Sequence, residues 1–131
     1  MRTITGRNAM AAEFCPGKIC AEIGVWKGEF AQAILAQNPQ WLYLVDAWRH
    51  QPTEFYPSDL SNVSDAVFEE YYQLVANAFK DSRTMIIKRF SYDAVDSILD
   101  NSLDFCYIDA CHWRFIFNCR WVYSLAGGLA V

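Results

Sequence analysis

Three acids stand where apolar runs end, and their placement is the first hint of chemistry in this chain. Glu22 lies within the run Ile19 to Ile23, Asp46 directly follows Trp41 to Val45, and Asp109 directly follows Leu103 to Ile108. Glu22 also opens the spacing Glu-x-Gly-x-x-x-Gly, completed by Gly24 and Gly28. Such glycines let a backbone turn tightly and approach a ligand that a Cβ would exclude. A helical pattern beginning at Glu29 adds unpaired N–H groups to the same corner. A carboxylate at its mouth repels a pyrophosphate and suits a cationic or hydroxyl-rich ligand. Asp46, at the end of the next strand, can accept two hydrogen bonds from a ribose diol. Each acid also has a plainer use: Glu22 could brace the glycine turn, and Asp46 could cap a loop.

Ser91 follows Phe90 at the end of a further apolar run, where an adenine ring could find apolar surface and one polar contact. Capping a helix through its hydroxyl is an equal and compatible role. Asp109 and His112 pair a carboxylate with an imidazole, a set able to bind and deprotonate an acceptor hydroxyl. Together these residues favour S-adenosylmethionine over a dinucleotide, since a sulfonium is an activated methyl donor that needs only alignment and a base.

The elements that must position these groups alternate. Met1 to Gly17 reads as a leader with one short helix covering a sheet. Strands are expected over Lys18 to Ile23, Trp41 to Val45, Thr84 to Lys88 and Leu103 to Ile108. Helices are expected over Glu29 to Gln37, stopped by Asn38-Pro39, and over Asp65 to Lys80, with Phe68, Tyr71, Tyr72, Val75 and Phe79 in one stripe. A short helix capped by Ser91 runs to Leu99, and an apolar helix from Trp113 to about Leu125 precedes Gly127-Gly128 and a fifth strand. The long connection Ala47 to Val63, rich in aromatic residues, is the expected lid over an acceptor. Unbroken apolar strands alternating with helices imply an α/β fold, a parallel sheet with helices on both faces and right-handed crossovers. Ligands of such sheets sit beyond the carboxyl ends of the strands.

Composition bounds the rest. At 131 residues with 53% hydrophobic content, the chain suits a single domain with a real core. A net charge of −4 without a Lys/Arg block argues against nucleic acid. No apolar run approaches the ~18 residues of a membrane span, and no signal-peptide pattern opens the chain. Five cysteines without a CxxC pair read as reduced, mostly buried thiols of a cytoplasmic protein, with no metal site.

The segments Ala21–Phe30, Leu42–Trp48, Phe68–Phe79, Ile86–Ala94 and Leu103–His112 resemble the class I S-adenosylmethionine-dependent methyltransferases. The resemblance is strongest to methyltransferase family 24, related to macrocin-type O-methyltransferases. Its E-I-G-V-x-x-G is matched by Glu22 to Gly28, its L-V-D-x-W by Leu44 to Trp48, and its F-S by Phe90-Ser91. Its D-x-x-Y-I-D-A-x-H is matched by Asp104 to His112. The resemblance implies a Rossmann-like three-layer fold lacking the last strands, with S-adenosylmethionine as cofactor. Its contacts would be Glu22, Gly24, Trp26, Gly28, Asp46, Trp48, Phe90 and Ser91, with Asp109 and His112 catalytic.

Two departures qualify this. The family's tyrosine and acid after the histidine are replaced by Trp113-Arg114-Phe115, and relatives continue beyond the fifth strand where this chain stops at Val131. A complete metal site is therefore not expected, and an exposed sheet edge would invite a second copy. The sequence favours a methyltransferase acting on a hydroxyl of a small molecule or sugar. Alternatives are a catalytically impaired, cofactor-binding remnant or, more weakly, a nicotinamide oxidoreductase.

Overall fold

Strand β1 (Ile19–Ile23) is the axis of the fold, paired on both sides. The computed structural model describes residues 4–52 and 62–109. Helix α1 (Arg7–Phe14) precedes β1, and α2 (Glu29–Leu35), β2 (Trp41–Asp46), α3 (Asp65–Ala78), β3 (Thr84–Lys88), α4 (Ser91–Ala94) and β4 (Phe105–Ile108) follow. The strands pair only in parallel, in the order β3-β2-β1-β4. The register sets Cys20 between Leu42 and Phe105, and Glu22 between Leu44 and Tyr107. A two-way clasp closes the start of the β1–β4 pair: Ile19 N donates to Asp104 Oδ2 at 2.9 Å, and Asp104 N donates to Ile19 O at 2.8 Å.

Alternation along the strands sorts the core into two layers. Cys20, Leu42, Leu44 and Phe105 face α1, α2 and α3, where they meet Ala11, Phe30, Ile34, Phe68, Val75 and Phe79. On the opposite face Ala21, Ile23, Val45, Ile87 and Cys106 pack on Ala94, Val95, Ile98 and Leu103. Because helices cover both faces, β2 can be apolar from Trp41 to Val45, which is why its run is unbroken in the sequence. Leu42 and Leu44 are fully buried; truncating either to Ala costs about 2–5 kcal/mol. Helix α3 is capped by Ser64, whose hydroxyl accepts from Val67 N at 3.3 Å, and the expected stripe holds: Phe68, Val75 and Phe79 are buried, with Tyr71 and Tyr72 packed beside them.

The expected parallel α/β architecture is present, with several boundaries moved. Helix α2 stops at Leu35 because Gln37 N and Asn38 N bond back to Ile34 O and Leu35 O, and Asn38 then turns left-handed at φ 55°. The helix expected from Ser91 to Leu99 is a single turn followed by a 3₁₀ turn, Val95–Ser97, with Ile98 extended. The N-cap is Phe90, not Ser91, and supplies no side-chain cap. The tighter winding stacks residues three apart on one face, which is how both Val95 and Ile98 reach the sheet. The expected helix from Trp113 and the fifth strand lie outside the described residues, as does any cover over the β4 edge.

Candidate functional site

Local geometry at the end of β1 follows from the glycines. Gly24 takes φ 92° while its N–H donates to Val45 O at 2.8 Å, so the chain leaves β1 still tied to β2. Gly28 takes φ 84° as the N-cap of α2. A Cβ there would lie 2.9 Å from Phe79 Cε2 and 3.3 Å from Val75 Cγ2, so glycine is required at this point for α3 to pack. Between them Trp26 is left-handed at φ 56°, and Trp48, after β2, is left-handed at φ 44°. Each costs about 1–2 kcal/mol for a residue with a Cβ.

Asp46 holds both strained tryptophans. Its Oδ2 accepts from Val25 N at 2.9 Å and Trp26 N at 2.8 Å, and its Oδ1 accepts from Trp48 N at 2.8 Å. Trp48 Nε1 donates to Trp26 O at 2.8 Å, a second tie between the two loops. Hydrogen bonds to a charged group contribute about 1.5–3 kcal/mol each, enough to offset the backbone strain. Burial pushes the Asp46 carboxyl up, and the backbone donors at Trp48, Trp26, Val25 and Ala47 oppose that shift. The loop-capping role open to Asp46 from sequence is thus occupied here. Any ribose contact must use lone pairs that the backbone leaves free.

Glu22 presents the opposite case. It is 2% exposed, and its Oε2 has no hydrogen-bond partner among the described residues. Burial pushes its carboxyl well above the usual carboxylate range; the Arg7 guanidinium draws it down, while Asp46 and Asp109 raise it further. Arg7, on α1, lies with Cζ 5.2 Å over the Phe30 ring. Asp109 is anchored at the end of β4 through its N–H, which donates to Ile23 O at 2.8 Å. The three strand-end acids are therefore gathered around one turn, with a cation that nothing in the leader's sequence pattern signalled.

A cleft of about 650 Å³ opens beside this turn, across the ends of β2 and β3. Trp48 and Phe90 line it, along with Ala47, Asp65, Glu69 and Lys88. Glu22, Gly24 and Asp109 do not, so the cleft flanks the acidic corner instead of covering it. Phe90 stacks on Tyr92 at 5.3 Å, and Lys88 Nζ bridges Glu69 at 2.8 Å while lying 4.4 Å over the Tyr72 ring. Ser91 begins α4 directly after Phe90. The stem of the aromatic connection is pinched shut: Gln51 N donates to Asn62 Oδ1 at 2.8 Å, and Asn62 Nδ2 returns a bond to Gln51 O at 2.9 Å. Trp48, placed in the lid by sequence, is a buried core residue against Tyr72. The rest of the lid, residues 53–61, and His112 lie outside the described residues. No group of metal-ligating side chains occurs among the described residues.

Known proteins share this fold. A family model described as a methyltransferase domain, methyltransferase 24, matches residues 21–124. Among solved structures, precorrin 8w decarboxylase of Methanobacterium thermoautotrophicum is similar at 11% identity and TM-score 0.60, over 98% of this chain and 61% of that one. Spermidine synthase in complex with the transition-state analogue AdoDATO is similar at 16% identity and TM-score 0.51, over 79% of this chain and 33% of that one. At these identities the likeness is one of fold. The chain spans less than two thirds of the length of either structure. No curated protein matches it. With the family match covering most of the sequence and the sheet order and glycine turn in place, the chain belongs to the class I S-adenosylmethionine-dependent methyltransferases, in the methyltransferase 24 family.

Proposed function

We propose that this chain forms the cofactor-binding core of a macrocin-type O-methyltransferase, acting on a hydroxyl of a small molecule or sugar. The observation that carries the reading is the buried Glu22 carboxyl, whose Oε2 has no partner among the described residues at a glycine turn that the protein elsewhere braces fully. A buried polar atom without a partner costs about 1–3 kcal/mol, which a ligand donor in that place would recover. S-adenosylmethionine fits this set of acids: its ammonium and sulfonium groups are cationic where Glu22, Asp46 and Asp109 gather. Its nucleoside end suits the cleft between Trp48 and Phe90.

When bound, the cofactor supplies an activated methyl group. The chain's residues do the remainder. Gly24 and Gly28 shape the turn that admits the ligand, Asp46 holds Trp26 and Trp48 in place, and Ser91 offers a hydroxyl next to Phe90. Asp109, joined by His112, is assigned to orient the acceptor hydroxyl and take its proton. The free, buried thiols of Cys15, Cys20 and Cys106 support a cytoplasmic setting; no helix among the described residues is long and apolar enough to cross a membrane.

Calorimetric titration with S-adenosylhomocysteine tests the reading. Saturable one-to-one binding is expected, and a folded chain that takes up no ligand overturns it. Binding without methyl transfer to any hydroxylated acceptor would favour a cofactor-binding module instead.

A further inference from the structure

The surroundings of Glu22 are unusual for a structural acid. Strand alternation places it on the face covered by α1, α2 and α3, between Leu44 of β2 and Tyr107 of β4. The charged groups facing it come from three directions. Arg7 of α1 is the cation, and the Asp46 and Asp109 carboxylates are the anions. Tyr107, beside it in the sheet, packs its ring 4.6 Å from Phe30. Helix α2 offers Phe30, Ala31 and Ile34, and α3 offers Phe68, Val75 and the Tyr71 phenol, so neither adds a charge on this side. One guanidinium and two carboxyl groups thus act on Glu22, the most buried of the three acids, whose Oε2 has no donor among the described residues.

An ionised carboxylate in that position is penalised twice, by lost hydration and by two like charges. A carboxylic acid escapes the like charges and loses far less hydration. We propose that Glu22 is a charge gauge: its carboxyl holds a proton in the unliganded protein, releases it to water when a sulfonium-bearing cofactor enters, and regains it from water when the neutral thioether product remains. The proposal rests on the methyltransferase reading and deepens it, because it makes Glu22 the residue that separates donor from spent product. The ledger of protons is simple: one leaves Glu22 on donor binding and one returns after the sulfonium charge is gone, so Glu22 itself has no net consumption over a cycle. Arg7 moderates the gauge, since its charge lowers the cost of ionising Glu22 before any ligand arrives.

The consequence is measurable without turnover. Where donor binding expels one proton, its affinity rises about tenfold per pH unit over the range between the free and bound protonation midpoints. The product's affinity stays flat across the same range. Titrations with S-adenosylmethionine and S-adenosylhomocysteine, each in two buffers of different ionisation heat, count the protons directly. The expected result is about one proton released per site with the donor and none with the product. In Glu22→Gln, release should vanish and the preference for donor over product should fall about tenfold. Equal proton counts for the two ligands, or release that persists in Glu22→Gln, overturn the gauge while leaving the methyltransferase reading intact. Failure of a folded chain to bind either ligand overturns both.

A second readout needs no ligand. The infrared spectrum of the unliganded protein should contain a buried carboxylic C=O band that Glu22→Gln removes. A wild-type spectrum at neutral pH without that band overturns the proposal, whatever the variant's folding.

Discussion

Glu22 and Asp46 belong to adjacent, hydrogen-bonded strands and reach the same turn, yet the protein treats their carboxyls in opposite ways. Asp46 accepts from Val25 N, Trp26 N and Trp48 N within 2.9 Å, whereas Glu22 Oε2 accepts from no group among the described residues. The first is spent on holding two left-handed tryptophans in register; the second is kept in reserve. A site built this way separates rigidity from recognition. One acid fixes the shape, and under the proposed function the other, deeper in the fold, would meet the ligand.

The sharpest way to break this comparison is Asp46→Ala. Losing an acceptor that three backbone donors share should cost about 3–5 kcal/mol in denaturant unfolding, with cofactor binding lost alongside. If stability is unchanged and only affinity falls, Asp46 is a ligand acid and the contrast collapses. Gly28→Ala comes next. A left-handed φ and a Cβ 2.9 Å from Phe79 predict a loss of about 2 kcal/mol, read in the same unfolding experiment. This places Gly28 with the architecture of the turn even before any ligand is considered.

Glu22→Gln probes the other half, and its sign differs. Because the folded protein raises the Glu22 carboxyl above its unfolded value of about 4.3, the native state holds the extra proton. That contribution to stability is fully present below the unfolded value and is lost as pH rises through the folded one, at up to about 1.4 kcal/mol per pH unit. The glutamine variant should flatten this slope and be as stable as wild type or slightly more so at neutral pH. Equilibrium unfolding across a pH series checks it; a variant less stable than wild type at every pH would return Glu22 to a bracing role.

The smallest effect is a surface control. Asp81 is held down to about 2 by the Arg83 side chain, which bridges it at 2.9 Å. Its contribution is present above the unfolded value and fades as pH falls through about 2, opposite in sign to Glu22. Asp81→Asn should leave the neutral-pH unfolding midpoint almost unmoved, as expected for an exposed pair.

Much of the scaffold was legible because its physics is local. A strand covered on both faces reads as an apolar run, so β2 was found at Trp41–Val45, one residue short of its end at Asp46. A stripe on α3 reads at helical spacing, and Phe68, Val75 and Phe79 were found that way. The acids were legible as residues at strand ends, but their circumstances were not. Asp46 is satisfied by N–H groups of a loop far upstream, and a main-chain donor leaves no trace in side-chain spacing. Arg7 reaches Glu22 only through the docking of α1, which Ala11 and Cys15 fix in the core. The segment after Ser91 misled because Ala94, Val95 and Ile98 have helical spacing, while the sheet surface is met by a 3₁₀ turn and an extended residue.

The strand order also has a consequence for the chain as it is being made. β1 leaves the ribosome before both of its neighbours, and these do not arrive together. β2 follows soon after, whereas β4 and the Asp104 clasp on Ile19 lie 85 residues downstream of the strand they complete. During synthesis, β1–β2–β3 can assemble with one side of β1 open to any passing strand. Only when residues 104–108 emerge does that side close, and with it the acidic corner, since Asp109 is delivered by the same segment. Long-range parallel pairing of this kind is slow and exposes an unpaired edge while it waits. The nascent protein thus acquires three of its strands before its acidic corner, and the fourth strand completes both together.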